Sequence, residues 1–219
     1  MQIALIGATG FVGAPVLEEA LARGHRVSAL VRNAARLAPR EGLQTRVADA
    51  LDADQVAQAV RGADVVVSAY NPGWSHPQLA STYTAGSRAI VAGVRAAGVP
   101  RLLVVGGAGS LYVAPGIQLV DTPGFRDQVP PAVVPGAQAA RDLLDWLRDV
   151  DDLDWVFLSP PALLAPGPRN GRYRVGGDHL LMAGEAPAGI SVADLAVAIV
   201  DELERPAHRR RRFTVASAS

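Results

Sequence analysis

Over its first hundred residues the chain repeatedly places a short, wholly apolar run ahead of a segment with helical spacing, and few architectures accommodate that order. Gln2 to Gly7 (QIALIG) is such a run, the pattern of a strand buried on both faces. In Phe11 to Arg23 the residues Val12, Val16 and Ala20 form one stripe with Leu17 and Leu21, Glu18, Glu19 and Arg23 fall outside it, and Gly24 supplies the stop. Strand candidates Arg26–Val31, Leu43–Ala48, Ala63–Ala69 and Arg101–Val105 then alternate with helices over Ala53–Arg61 and Leu79–Ala97. Strands separated by helices imply right-handed crossovers, hence an α/β fold: a doubly wound parallel sheet with helices on both faces.

Beyond Val105 the pattern is less regular. Gly106 to Pro135 is rich in glycine and proline, and an uninterrupted loop of that length points to a lid or binding segment. Ala137 to Val150 is helical, Trp155 to Leu158 a strand, Ser159 to Gly189 irregular, and Arg212 to Ala216 a last strand. Ser191 with Asp194 forms a capping box that opens a helix to about Glu204. No repeat or linker divides the chain. It reads as a single domain, 1–219, in which loops 106–135 and 159–190 build a small irregular lobe on the substrate side.

Composition removes several function classes. Lys+Arg and Asp+Glu both number 21, so no net field draws in nucleic acid or a membrane surface. There is no cysteine, which excludes disulfides, thiolate metal sites and cysteine nucleophiles. Every basic residue among the 21 is arginine, so chemistry that needs a lysine is closed to this chain. The uncharged runs Met1–Leu17 and Leu102–Val120 are broken by glycine or proline, and the first lacks a basic lead-in, so neither suits a membrane span or a signal peptide. A cytoplasmic protein is expected, as a monomer or a homodimer.

Gly7-Ala8-Thr9-Gly10-Phe11-Val12-Gly13 lies between the first strand and the first helix. In that context a glycine turn lets backbone amides approach a pyrophosphate at a helix N-terminus, which implies a Rossmann-type dinucleotide site. Pro15 predicts a slight kink or a later helix start. An acidic residue at the end of the second strand would select NAD, but Leu30-Val31-Arg32-Asn33 offers a guanidinium and an amide, which suit the 2′-phosphate of NADP. Asp49 ends the third strand, where it serves equally well as an acceptor for the adenine amino group or as a turn former.

The spacing G-x-x-G-x-x-G resembles the short-chain dehydrogenase/reductase superfamily. Together with RGHRVSALVRN at 23–33, VVGGAGSLYVAPG at 104–116, YRVGGDHLL at 173–181 and RRRFTVA at 210–216, nearly the whole chain is similar to one atypical branch of it. That branch comprises the NAD(P)H-binding reductases called NADH-flavin reductases, related to biliverdin reductase B and NmrA-like proteins. The superfamily's usual Tyr-x-x-x-Lys pair is absent: four residues after Tyr70, Tyr83, Tyr112 and Tyr173 stand Trp74, Ser87, Gly116 and Gly177. No cation is therefore placed to lower a phenol's pKa, which disfavours ordinary carbonyl reduction. FMN, another flavin or a tetrapyrrole still qualifies, because a conjugated acceptor takes its proton from solvent or a weak donor.

The resemblance implies residue roles. Thr9, Gly10, Phe11 and Val12 line the pyrophosphate, and Arg32 and Asn33 hold the 2′-phosphate. Ala69 and Tyr70 pass near the riboses, while Gly106, Gly107 and Ser110 border the nicotinamide and Pro160 and Pro161 wall its pocket. Ser110, then Tyr112, is the candidate catalytic group beside the reacting carbon; the alternative for each is a loop residue bonded to local backbone. An NADP-binding sensor of the NmrA-like kind is the competing reading, and an epimerase- or dehydratase-like enzyme a third. Arg209 to Arg212 reads as a solvated sheet edge, and Asp149, Asp151, Asp152 and Asp154 as a solvated loop without the spacing of a calcium site. The four histidines carry no metal-binding spacing. His76 and Trp74 lie in the loop after the fourth strand, near where an acceptor would sit, Trp74 as a stacking platform or a packing residue.

Overall fold

The computed structural model describes residues 1–218. Strands β1 (Gln2–Ile6), β2 (Arg26–Val31), β3 (Leu43–Val47), β4 (Val65–Ser68) and β5 (Arg101–Val105) alternate with helices α1 (Gly13–Ala22), α2 (Ala53–Val60) and α3 (Leu79–Ala96) as the apolar pattern requires. After β5 come a short hairpin, β6 (Tyr112–Ala114) and β7 (Ile117–Gln118), and helices α4 (Pro123–Gln128) and α5 (Val134–Arg148). Then follow β8 (Asp154–Ser159), β9 (Leu163–Ala165), β10 (Tyr173–Gly176), the pair β11 (Met182–Ala183) and β12 (Ala186–Pro187), β13 (Gly189–Ser191), α6 (Val192–Glu204) and β14 (Arg211–Ser217).

The central sheet has eight strands in the order β10-β14-β8-β5-β4-β1-β2-β3. Every neighbouring pair is parallel except β10 with β14. The alternation of side chains along a strand splits the core into two layers. Ile3 and Leu5 of β1 pack with Val16 and Leu17 of α1 and Leu195 and Ile199 of α6. Ala4 and Ile6 face the other way, toward α2, α3 and α5, with Val56, Ile90 and Leu144. Because β2 and β3 lie on one side of β1 while β4, β5 and β8 lie on the other, the strand order reverses between β1 and β4. Crevices for ligands open at the carboxyl ends of strands at such a reversal.

Three local expectations are corrected. The segment 106–135 is folded rather than a bare loop: it carries a 3-10 turn at Ala108–Ser110, the β6–β7 hairpin, a second 3-10 turn at Leu119–Asp121 and α4. Its prolines punctuate less than they suggest, since Pro123 and Pro135 sit in the first turns of α4 and α5, where a missing N–H costs nothing. Likewise 159–190 is not irregular, because Tyr173–Gly176 closes one edge of the main sheet and β9 pairs with β13. These strands are short and half-exposed, so they lack the alternation that announces a strand. Third, the Ser191 hydroxyl does accept from the Asp194 N–H at 3.0 Å, but the Asp194 carboxylate does not reach back. It accepts from the N–H groups of Asn170 and Gly171, both at 2.7 Å, and so anchors a distant loop to α6. As for α1, it begins late, at Gly13, with Pro15 in its first turn.

Candidate functional site

The β1–α1 turn is shaped by steric necessity. Gly7 has φ +83°, and a Cβ on it would stand 2.4 Å from the Ala69 carbonyl oxygen at the end of β4. A Cβ on Gly13 would stand 2.1 Å from the Gly7 carbonyl oxygen, and the Gly10 N–H donates to that same oxygen at 2.9 Å. The chain thus folds back on itself more tightly than side chains permit. No side chain caps α1 and no acidic residue lies in its first turn. Among the described residues the amides of Thr9, Phe11 and Val12 donate to no protein group, while the Phe11 ring is 53% exposed. Unsatisfied amides at the positive end of a helix dipole, opened by glycines, suit a bound pyrophosphate.

At the end of β2, Arg32 is exposed and pairs with no carboxylate among the described residues. Asn33 accepts from the Ala35 N–H at 3.0 Å, which starts a 3-10 turn and leaves its amide hydrogens unused. Asp49 accepts from the Leu51 N–H at 3.0 Å with one carboxylate oxygen, and its second oxygen has no partner among the described residues. It therefore forms a turn and keeps an acceptor available. Burial, reinforced by the Asp49 charge and opposed by Arg32, pushes the Tyr70 phenol up, so the three side chains share one region. The Tyr70 ring packs against α3, where a Cβ on Gly86 would stand 2.5 Å from it, and its hydroxyl donates to the Thr82 carbonyl at 3.3 Å. These residues fit a dinucleotide: open amides at the turn, and an exposed guanidinium after β2, a strand that carries no carboxylate.

At the end of β5, Gly106 donates to the Leu158 carbonyl at 2.8 Å, and a Cβ on it would stand 2.0 Å from the Phe157 ring. The Gly107 carbonyl accepts from the Ser110 hydroxyl at 3.1 Å. Ser110 is 1% exposed, and its oxygen also lies 3.0 Å from that of Ser159. Its carbonyl accepts from Gln118 Nε2 at 3.1 Å and from the Arg212 guanidinium. Tyr112 is half-buried on β6; its N–H donates to the Asp178 carbonyl and its carbonyl accepts from the Leu180 N–H, both at 2.9 Å. Pro160 and Pro161, after β8, are both buried.

Arg212 joins these pieces, and sequence reasoning missed it. Its side chain is 1% exposed, bound to the Asp178 carboxylate through Nε at 2.8 Å and Nη2 at 2.6 Å, and its guanidinium carbon lies 5.5 Å from the centre of the Tyr112 ring. Arg209, Arg210 and Arg211 are solvated as expected, but Arg212 is not at a sheet edge, because β14 lies between β10 and β8. Strand alternation carries the signal: Arg212 shares a face with Thr214, which is fully buried. Two of the four aspartates also have partners, Asp154 with Arg101 at 2.6 Å and Asp152 with Arg95.

Among the described residues, no helix is long and apolar enough to cross a membrane. A family model described as NAD(P)H-binding matches residues 7–206. The chain is 38% identical over 222 residues to the uncharacterized protein YwnB of Bacillus subtilis, covering 99% of each. A solved structure from Bacteroides thetaiotaomicron, provisionally named an epimerase, shares 41% identity with a TM-score of 0.90, over 100% of this chain and 97% of that one. Another, from Streptococcus pneumoniae and named a candidate NADH-flavin reductase, shares 32% identity with a TM-score of 0.82 over 100% of both chains. With the matched span running from the first glycine of the turn to the end of α6, the chain belongs to the NAD(P)H-binding family, on a Rossmann-type fold.

Proposed function

We propose that this protein is an NADPH-dependent oxidoreductase that passes hydride to a flavin or a similar planar conjugated acceptor in the cytoplasm. The observation that carries the reading is Arg32: an exposed guanidinium without a carboxylate partner among the described residues, standing where an NAD enzyme places an acid. A charge-assisted contact to a 2′-phosphate contributes about 1.5–3 kcal/mol, roughly a 10- to 150-fold preference for NADPH over NADH. Bound NADPH supplies the hydride. The chain's own part is to hold it on the Thr9, Phe11 and Val12 amides and to align it between the ends of β4 and β5.

The tyrosines argue against a phenol acid. Burial pushes the Tyr83 phenol far up. Burial and the hydrogen bond to Asp201 do the same for Tyr173. Tyr70 is turned onto α3. Hydride transfer into a conjugated ring needs no such acid. Ser110 is enclosed, so its contacts support the local-backbone role better than a place beside the reacting carbon.

The test is anaerobic loss of reduced-nicotinamide absorbance, with NADPH and NADH in parallel, against FMN, riboflavin, biliverdin and a quinone. Turnover that prefers NADPH, with R32E losing NADPH affinity tenfold or more while NADH is little changed, supports the reading. Equal losses for both cofactors remove the 2′-phosphate assignment. Tight NADPH binding without turnover on any acceptor, the outcome favoured by the missing Tyr/Lys pair, makes the protein a cofactor sensor.

A further inference from the structure

Trp74 is a large aromatic that folding leaves 53% exposed, whereas Trp155 is 2% exposed in the core. It lines a recess of about 520 Å³ with His76, Gln78, Leu79 and Pro135. That volume lies within the roughly 300–1,000 Å³ of small-molecule sites. The recess is tied to the segments that follow β4 and β5. A Cβ on Gly136 would touch the indole at 3.1 Å, and α5 reaches the β5 turn, where a Cβ on Gly107 would lie 3.7 Å from the Ala140 methyl. On the other wall, His76 approaches Thr82, whose carbonyl takes the Tyr70 hydroxyl at the end of β4.

The platform is preformed. The Gly73 N–H donates to the Asn71 carboxamide at 2.7 Å and the His76 N–H to the Gly73 carbonyl at 2.9 Å, so the loop holds its own shape. His76 Nδ1 accepts from the Gln78 N–H at 3.1 Å. A ring nitrogen that accepts carries no proton, so the neutral ring bears its proton on Nε2, which has no partner among the described residues. A neutral imidazole is a poor proton donor but a good hydrogen-bond donor to charge that develops on a neighbouring oxygen. No charged side chain lines the recess.

We propose that this recess holds the hydride acceptor, its planar ring stacked on Trp74 and its carbonyl edge accepting a hydrogen bond from His76 Nε2. This rests on the reductase reading and deepens it. The acceptor class is a planar, carbonyl-bearing conjugated ring, because no charged side chain in the lining selects a phosphate, and riboflavin therefore serves as a probe beside FMN. The hydride leaves the reduced nicotinamide with both electrons of its C–H bond; the acceptor gains two electrons and that hydrogen, and the proton that completes its reduction comes from water. His76 stabilises the negative charge in between and transfers no proton.

The experiment combines riboflavin-fluorescence quenching in the presence of NADP⁺ with anaerobic NADPH oxidation by riboflavin and by FMN, on variants with wild-type thermal unfolding. Expected are a tenfold or greater rise in riboflavin Kd for W74A with the KM for NADPH unchanged, and KM values for riboflavin and FMN within about threefold. H76F should lose kcat tenfold or more with H76Q restoring most of it, since a glutamine amide donates from a similar position. The H76F deficit should persist at pH 8, because no proton moves through the ring. A deficit that vanishes as pH rises, or a strong preference for FMN, overturns the assignment. Turnover that ignores both substitutions removes the recess and keeps the reductase. Binding through Trp74 without NADPH oxidation keeps the recess and removes the reductase. Neither quenching nor turnover removes both.

Discussion

Two regions at the carboxyl edge of the same sheet are built by opposite means. The turn at 7–13 is made of backbone from consecutive residues, and Arg32, after the neighbouring strand, stands exposed with no carboxylate partner among the described residues. The cluster around Arg212 is made of side chains far apart in the chain: Ser110 lies 102 positions away and Asp178 34. There the guanidinium is closed off from water and paired. An arginine left open suits a ligand that arrives from solution, whereas one already satisfied holds the fold, so the two ends divide recognition from architecture.

Substitutions in each region should fail differently. Gly13→Ala drives a methyl into the Gly7 backbone and should cost about 4 kcal/mol, a fall in Tm on the order of 10 °C, together with NADPH binding. A calorimetric scan that shows a near-native Tm would break the account of the turn. Asp178→Ala strands a buried guanidinium and should cost about 3 kcal/mol, with NADPH affinity kept within twofold. Arg212→Met combined with Asp178→Ala should recover at least half of that loss in a double-mutant cycle. Simple additivity would mean that the pair does not couple.

Ser110→Ala is a smaller probe. Loss of its contacts to Gly107 and Ser159 should cost about 1 kcal/mol of stability and less than threefold in kcat. A tenfold fall in kcat, about 1.4 kcal/mol in the barrier, would instead put the hydroxyl on the reaction path.

The smallest effect at neutral pH concerns the seam between α1 and α6. Hydrogen bonds from Arg169 and Arg23 hold the Glu19 carboxyl below its usual value. Burial raises Asp201, but Tyr173 and Arg23 outweigh it and its carboxyl too is lowered. A lowered carboxyl stabilises the fold fully above its unfolded value, near 4, and loses that contribution as pH falls through the folded value. Tm should therefore stay level from pH 7 to about 5 and drop below 4. The gap between wild type and Glu19→Gln should narrow on the same descent; a gap constant with pH would mean that these pairs contribute nothing through ionisation.

How far the chain's own pattern reaches follows the same division. Strands β1 to β5 and the first three helices stand where apolar runs and helical stripes placed them, within a residue or two at most ends. The glycine turn was legible because its constraint acts between neighbours in sequence. The hairpin after β5, the edge strand at Tyr173–Gly176 and the redirected Asp194 carboxylate were not, because each depends on a partner brought close only by the folded sheet. Glu19, polar and outside the apolar stripe of α1, is 5% exposed because Arg169 and Arg23 meet it there. Residue order alone thus decided the class of fold and the tight glycine turn between β1 and α1, whose geometry is local backbone. Which arginines are buried, where Ser110 points and what faces the recess beside Trp74 were decided by tertiary packing, since burial and pairing belong to neighbours that the chain does not place side by side.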